Sequence, residues 1–390
     1  MPTRKKKKSG KRTKTAGRPS STRKTDAGQA DKVYDYYATT VSGLEQVVAA
    51  DMEHNLGEIQ SLQIERGRRH GRLFFRYERS PKKLLELRSV DNLFALLMRI
   101  RNVTVGRPGL QQIADAIGHI DLKPAMSLHD RLHGDKEKTT CRLICTVGGD
   151  HRFSTSDLYR AARDVLVTNG TELEAEQSAY ILHLQVKGGK ALFGFQLAQT
   201  RLRNRDYRRE SVPGGLEATA AYCMALLAEI KPGDLCLDPM CGGATLLIEA
   251  ALAFNPGQLI GGDISIPALV ASRENSMAAK TRIDLAQWDA GTLPLASASV
   301  DVLLCNLPFD KKVSFAEGDS GTFILEELTR VIRPGGRALL LTSDREAMES
   351  FLEYGRSSFT CKKRLPLRLR GVEPSLYLLE KTPNSEIDIQ

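Results

Sequence analysis

The sequence of 390 residues lacks an apolar run long enough to cross a bilayer, and no hydrophobic signal segment occurs near its start. It has seven cysteines but no C-x-x-C pair, and no His/Cys cluster has the spacing of zinc ligands. Cys141 and Cys145 have apolar neighbours, which favours buried thiols in a reducing compartment. We therefore expect a soluble, cytoplasmic protein that binds no metal and does not enter a membrane.

Acidic residues are absent from the first 25 positions, which carry eleven of the 56 Lys/Arg residues. The other positions hold 45 basic and 47 acidic residues, a net charge of −2, so the overall +9 comes from this tail. Because the tail is rich in Ser, Thr, Gly and Pro, we expect residues 1–31 to be disordered. The tail either attracts a polyanion such as nucleic acid or acts as a solubilising arm or a nuclear address signal.

The pattern of apolar residues predicts two α+β regions in the first half of the chain. Residues 32–107, including a predicted helix at 81–90, show the β-α-β-β-α-β order of a ferredoxin-like domain. Residues 108–198 predict two helices, a strand, a third helix and a hairpin. An arginine-rich linker, residues 199–215, then ends in Pro-Gly-Gly.

The second half, residues 216–382, alternates between predicted strands and helices, and residues 383–390 form a C-terminal tail. This pattern predicts an α/β fold, a doubly wound sheet with a terminal hairpin. Such sheets bind ligands at the carboxyl ends of their strands. Four predicted strands end there in a polar side chain: Asp238, Asp263, Asp289 and Asn306.

The stretch DPMCGGAT (238–245) combines a strand, a turn of small residues and a helix, which offers backbone N–H groups to a ligand. Asp263 could accept from ribose hydroxyls and Asp289 from an adenine amino group, although either could instead cap a helix. Neither a G-x-G-x-x-G turn nor a phosphate-binding lysine loop is present, so the pocket favours a nucleoside without a pyrophosphate, and S-adenosylmethionine fits. The candidate cofactor residues are Asp238, Pro239, Met240, Cys241, Gly242, Gly243, Thr245, Asp263, Ile264, Asp289, Ala290 and Asn306.

DPMCGGATLLIEAA, GGDIS, QWDA and CNLPFDKK follow the motif order of class I S-adenosylmethionine-dependent methyltransferases that methylate amino groups. The signature of that class, Asn/Asp-Pro-Pro-Tyr/Phe, is here Asn306-Leu307-Pro308-Phe309. The first half resembles a ferredoxin-like domain followed by a THUMP domain, an RNA-binding module. Over roughly residues 32–381 the chain resembles THUMP-containing RNA guanine-N2 methyltransferases, especially those that act on tRNA.

The resemblance implies a role for each residue of the signature. The Asn306 oxygen and the Leu307 carbonyl would draw on the two hydrogens of a base amino group, whose lone pair is otherwise delocalised into the ring. Pro308 would orient that carbonyl, and Phe309 would stack on the extruded base. No metal is required. The alternative is a plain strand end with a Pro turn and a core Phe.

Basic residues on both sides of the pocket are candidates for RNA phosphates, or else ordinary solvated surface. The candidate RNA contacts are Arg201, Arg203, Arg205, Arg208, Arg209, Lys311, Lys312, Lys362 and Lys363. Further basic residues occur in a β-turn (Arg66, Arg68, Arg69) and near the C-terminus (Arg364, Arg368, Arg370), and those in the turn carry the weaker signal.

Two departures from the family pattern leave alternatives open. Ala244 replaces the third small residue of the glycine turn, and Asp310 stands where the family generally has Gly. They are compatible with a catalytically silent RNA-binding or assembly factor. Ribosomal RNA, small nuclear RNA and adenine N6 are further alternative substrates. The expected partner is RNA. A small activating subunit, as in some relatives, is a further possible partner; otherwise we expect a monomer.

Overall fold

The structure is a computed structural model. Both predicted tails, residues 1–31 and 383–390, lie outside the residues that it describes. Those residues are 35–68, 70–136, 139–176, 178–308, 320–353, 358–369 and 371–382.

The first half of the chain forms a seven-stranded sheet of order β2-β3-β1-β4-β7-β6-β5. The segment β4-β1-β3-β2 is the strand order of a ferredoxin-like domain, with antiparallel pairing throughout. The strands are β1 (Asp35–Val41), β2 (Gln60–Glu65), β3 (His70–Arg76), β4 (Asn92–Arg101), β5 (Cys141–Gly148), β6 (Tyr180–Lys187) and β7 (Lys190–Gln196).

The two predicted N-terminal regions share this sheet, because β4 of the first pairs antiparallel with β7 of the second. Each region alone would leave an unpaired strand edge at this point, and the pairing removes both edges. The five helices of this half contribute residues to one hydrophobic core. They are α1 (Glu45–Leu56), α2 (Lys82–Leu85), α3 (Arg107–Gly118), α4 (Lys123–His133) and α5 (Thr155–Thr168).

The predicted helix at 81–90 is shorter in the structure, where α2 has only four residues. Ser89 lies beyond its end and is fully buried, with its Oγ donating to Asp51 Oδ2 at 2.6 Å. Its carbonyl accepts from Thr40 Oγ1 at 3.2 Å. These tertiary bonds hold the backbone outside a helical path, which residue spacing alone does not reveal.

The second half confirms the predicted doubly wound fold with its terminal hairpin, in a sheet of order β10-β9-β8-β11-β12-β14-β13. The first five strands of that order are parallel, and β14 runs antiparallel to both of its neighbours. The strands are β8 (Leu235–Asp238), β9 (Gln258–Asp263), β10 (Asp284–Gln287), β11 (Val300–Asn306), β12 (Ile332–Thr342), β13 (Phe359–Pro366) and β14 (Ser375–Lys381).

Helix α6 joins the two halves of the molecule. Its Thr219 Oγ1 donates to Asp91 Oδ1 at 2.6 Å, and its Tyr222 hydroxyl donates to Asp51 Oδ1 at 2.7 Å. Both acids are buried, so these charge-assisted bonds are shielded from water. The helices of this half are α6 (Ala218–Leu227), α7 (Thr245–Phe254), α8 (Ile266–Ala279), α9 (Ser320–Val331) and α10 (Arg345–Glu353). No helix within the described ranges could span a membrane.

Candidate active site

Three of the four predicted strand-end residues meet at one edge of the second sheet. Asp238 ends β8, Asp263 ends β9 and Asn306 ends β11, and β8 lies between the other two strands. Because these strands are parallel, their carboxyl ends open into the same crevice. β10 ends at Gln287, two residues before Asp289, so the fourth acid lies in the following turn.

Asp238 is the deepest acid of the crevice, with 2% of its surface exposed. Its Oδ1 accepts from the Met240 backbone N–H at 3.2 Å. Burial raises the pKa of Asp238 to about 8, the Met240 bond opposes this rise, and the nearby negative charge of Asp263 adds to it. A cation in the crevice would relieve this cost of burying a carboxylate.

The glycine turn is fastened to the end of β9. Cys241 N–H donates to the Gly262 carbonyl at 2.8 Å, and Gly242 N–H donates to Asp263 Oδ2 at 2.9 Å. Gly242 has a φ of +53°, and Ala244, at the N-terminus of α7, is left-handed with a φ of 58°. A left-handed alanine costs roughly 1–2 kcal/mol, which is the physical consequence of the departure at this position.

Trp288 supports the same turn, a role that the sequence did not reveal. Its indole N–H donates to the Pro239 carbonyl at 3.0 Å. A Cβ added to Gly262 would lie 1.9 Å from Trp288 Cε2, so the ring requires a glycine there. The tryptophan in QWDA was a signal that could have been used, since an indole N–H in a buried ring needs an acceptor.

The remaining predicted cofactor residues border the crevice less deeply. Ile264 is 67% exposed, directly after Asp263, whose Oδ1 accepts from Ser265 N–H at 2.9 Å. Asp289 is exposed, and its Oδ1 accepts from Gly291 N–H at 2.8 Å, while Ala290 is buried. Asp289 therefore closes a local turn and caps no helix, and its second carboxylate oxygen has no hydrogen-bond partner among the described residues.

Asn306 is held by the linker. Its Nδ2 donates to the backbone carbonyl of Gly214 at 3.2 Å. A carbonyl only accepts, so the contact fixes the nitrogen on that side and leaves Oδ1 buried without a partner among the described residues. A buried acceptor without a partner is costly, which points to a donor supplied by a ligand.

Leu307 continues the strand direction, with its N–H donating to Leu341 O at 2.9 Å and 1% of its surface exposed. Pro308 follows and is half-buried. The predicted stacking residue Phe309, the departure at Asp310 and the predicted RNA contacts Lys311 and Lys312 lie outside the described residues.

Asn275 of α8 clamps the linker to the glycine turn. Its Oδ1 accepts from the N–H groups of Arg209 and Glu210 at 2.9 and 3.0 Å. Its Nδ2 donates to the carbonyls of Glu210 and Gly243 at 3.0 and 3.1 Å. Asn275 is 1% exposed; its bond to Gly243 is buried, and its three bonds to the linker are part-buried. This residue was not among the predicted site residues.

The linker arginines divide into buried and exposed groups. Arg205 is 11% exposed and donates to fully buried Glu249, which also accepts from Arg88 and from the Tyr207 hydroxyl. This placement contradicts the phosphate contact predicted for Arg205, because a buried carboxylate already holds its side chain. Arg203 lies 3.6 Å from Glu217.

The other predicted RNA contacts among the described residues are exposed or half-buried. Arg201 and Arg209 are exposed, and Arg208 is half-buried. Lys363 is exposed, and Lys362 is exposed but lies 3.0 Å from Glu380. These residues stay predictions for phosphate binding.

The crevice fits S-adenosylmethionine on structural grounds. The buried carboxylate of Asp238 suits a positively charged ligand, and Asp263 keeps lone pairs for ribose hydroxyls. Helix α7 begins without a side-chain cap, so its first N–H groups are available to a carboxylate. Among the described residues, no group of His, Cys, Asp and Glu could hold a metal ion.

Comparison with known proteins agrees with this geometry. The chain is 28% identical over 298 residues to the tRNA (guanine(6)-N(2))-methyltransferase THUMP3 of Bos taurus, covering 70% of this chain and 58% of that protein. It is 34% identical over 252 residues to the U6 snRNA (guanine-N(2))-methyltransferase THUMPD2 of Mus musculus, covering 63% of this chain and 46% of that protein. The chain thus spans about half the length of the curated relatives it matches.

The fold has a close counterpart in TrmN from Thermus thermophilus. The two structures superpose with a TM-score of 0.71 at 24% identity, covering 89% of this chain and 99% of that chain. Residues 205–370 match the sequence profile of the RMKL-like methyltransferase domain. S-adenosylmethionine is the methyl donor of this domain.

Proposed function

We propose that this protein transfers a methyl group from S-adenosylmethionine to the exocyclic N2 of a guanosine in tRNA. The observation that carries the proposal is the Asn306 amide, whose Nδ2 is held by Gly214 while Oδ1 is buried without a partner among the described residues. An amino group of a flipped base supplies the donor that this oxygen lacks.

Two acceptors activate the amino nitrogen in this mechanism. Asn306 Oδ1 accepts a hydrogen bond from one N2 hydrogen, and the Leu307 carbonyl accepts a hydrogen bond from the other. These two bonds shift the nitrogen toward a tetrahedral geometry and make its lone pair available. The buried peptide at Leu307, bonded to β12, keeps the carbonyl in position. When bound, S-adenosylmethionine supplies a methyl group on a positively charged sulfur. Alignment of the nitrogen with that methyl group would supply much of the rate enhancement. The new N–C bond would replace the S–C bond, and N2 would release one of its two hydrogens as a proton to solvent.

The residues around the cofactor complete the proposal. Asp263 would accept from the ribose hydroxyls, Ile264 would contact the adenine, and Asp289 would accept from the adenine amino group. The turn at 238–245 would hold the methionine part of the cofactor, and Asp238 would face its positively charged amino group. Exposed Arg201 and Arg209 of the linker contact RNA phosphates on the way to the crevice, and we expect the protein to act as a monomer in the cytoplasm.

A second candidate substrate is U6 small nuclear RNA, because one relative carries that activity in its name at 34% identity. The chemistry at Asn306 is the same for both RNAs. The choice depends on the surfaces that surround the crevice.

Transfer of labelled methyl groups to total tRNA tests the proposal, with N2-methylguanosine identified by mass spectrometry. Asn306→Ala is expected to lower transfer by about 10²-fold. Asn169→Ala is a matched control, because its Nδ2 also donates to a glycine carbonyl, that of Gly118, at 3.0 Å on an exposed helix end. Transfer to U6 RNA but not to tRNA would favour the second candidate, and undiminished transfer by Asn306→Ala would refute the assigned role.

A further inference from the structure

The basic turn between β2 and β3 is linked to the catalytic half of the molecule through Ser42. Ser42, just after β1, donates from Oγ to the carbonyl of Gly67 in that turn at 2.6 Å. The Ser42 carbonyl in turn accepts from the N–H of Arg368 at 3.0 Å. One serine therefore links a turn of the first sheet to a loop of the second, 300 residues later in the chain.

The loop that contains Arg368 projects from the catalytic edge of its sheet. It connects the end of β13 to the start of β14, and Ser375 pairs with Thr342, the last residue of β12. Asn306 pairs with Leu341, which is two strands from β13. At about 4.8 Å per strand, the end of β13 lies roughly 14 Å from Asn306 along this edge.

The contact between the segment that follows β1 and the loop that follows β13 is tight. A Cβ on Gly43, which has a φ of +103°, would lie 2.2 Å from the Pro366 carbonyl oxygen and 2.9 Å from Leu367 Cδ2. Leu367 is itself 1% exposed. The turn and the loop are thus attached to the same segment, Ser42 and Gly43.

The side chains at this junction are basic and accessible. Arg66 and Arg68 are exposed, and among the described residues neither has an acidic partner. Arg368 is 44% exposed and lies 2.9 Å from Glu373, which is 68% exposed. An exposed ion pair of this kind contributes little energy, so a phosphate can displace Glu373.

We propose that Arg66, Arg68 and Arg368 form a phosphate-binding rim for the RNA strand that flanks the target nucleotide. Guanidinium groups bind phosphate with two parallel hydrogen bonds, and three of them beside the crevice match a polyanionic backbone. The rim rests on the proposed function, because it places the strand that delivers a base to Asn306. It gives the first sheet a direct part in binding at the catalytic edge.

The test compares the enzyme with an Arg66→Ala/Arg68→Ala/Arg368→Ala variant on an unmodified tRNA transcript. We expect KM for the tRNA to rise about ten-fold or more, and the slope of log Kd against log salt to fall by about one for each arginine. The affinity for S-adenosylmethionine should not change. Glu373→Gln should lower KM for the tRNA, because it releases Arg368 from its ion pair.

Arg282→Ala is the control, because Arg282 is exposed just before β10, at the opposite edge of the same sheet. If the wild type is active and the triple variant has the same KM and salt slope, the proposed rim is wrong and the proposed function stands. If the wild type binds tRNA without methylating any RNA, the proposed function fails. The salt slopes then still test whether the three arginines bind phosphates. If it binds no RNA at all, both proposals fail.

Discussion

Asn306 Nδ2 lies 3.2 Å from the carbonyl oxygen of Gly214, so the last residue of a central strand is oriented by a linker glycine 92 positions earlier. This contact decides which end of the amide faces the crevice. Linker and catalytic motif therefore form one unit, although they are far apart in the sequence.

Asn306→Asp tests that orientation. An aspartate keeps an acceptor for the base but places a carboxylate oxygen against the Gly214 carbonyl, where the two repel. We expect kcat to fall by about 10²-fold, as for the loss of one preorganised polar group. Asn169→Asp, which makes the same change opposite the Gly118 carbonyl, should keep full activity. Wild-type kcat in Asn306→Asp would show that the Gly214 contact does not orient the amide.

Asn275→Ala tests the clamp between the linker and the glycine turn. The substitution removes the Asn275 partner of two backbone N–H groups and two carbonyls, of which the Arg209 N–H keeps a second acceptor, the Tyr207 carbonyl at 2.9 Å. We expect the free energy of unfolding to fall by about 2 to 3 kcal/mol. Cofactor affinity should fall as well, since Gly243 loses its anchor. Ser276→Ala is the control, because Ser276 Oγ bonds only to the Arg273 carbonyl of its own helix. Equal effects of both substitutions on cofactor binding, measured by calorimetry, would contradict the clamp.

Glu249→Gln tests the buried network between the two halves of the molecule. Glu249 is fully buried and faces Arg88 at 2.7 Å and Arg205 at 3.2 Å, so its loss leaves two poorly solvated cations. We expect the free energy of unfolding to fall by about 3 kcal/mol in chemical denaturation. Glu349→Gln removes a more exposed partner of Arg345 and should cost less than about 1 kcal/mol. Similar losses in both variants would show that burial of the network adds nothing.

The pH dependence of stability reports on Asp238. Burial raises its pKa to about 8 in the folded protein, against roughly 3.9 in an unfolded chain. Between these values the folded state holds a proton that the unfolded state has released. The contribution of this group to stability therefore decreases as pH rises from about 4 to 8 and is constant above that range.

Asp238→Asn removes this titration. The unfolding free energies of wild type and variant are measured without cofactor at several pH values. The wild type should lose stability relative to the variant as pH rises through this window. Other titrating groups cancel in the difference. Parallel profiles from pH 5 to 8 would show that Asp238 is ionised throughout.

The sequence by itself determined the order of the strands and helices and the class of the crevice. Alternation of apolar residues and the small-residue turn predicted the strand, turn and helix around residues 238–245, because strand and helix periods are local properties. Strand-end acids indicated a nucleoside pocket, because parallel strands align their carboxyl ends.

Tertiary structure decided what each polar side chain near that crevice does. Arg205 and Arg209 look alike in the sequence, yet one is buried against Glu249 and the other donates its backbone N–H to Asn275 and keeps an exposed side chain. The roles of Asn275, Trp288 and Gly214 arise from contacts with distant backbone groups. Such contacts depend on how the two sheets and the linker pack, and local periodicity does not encode that.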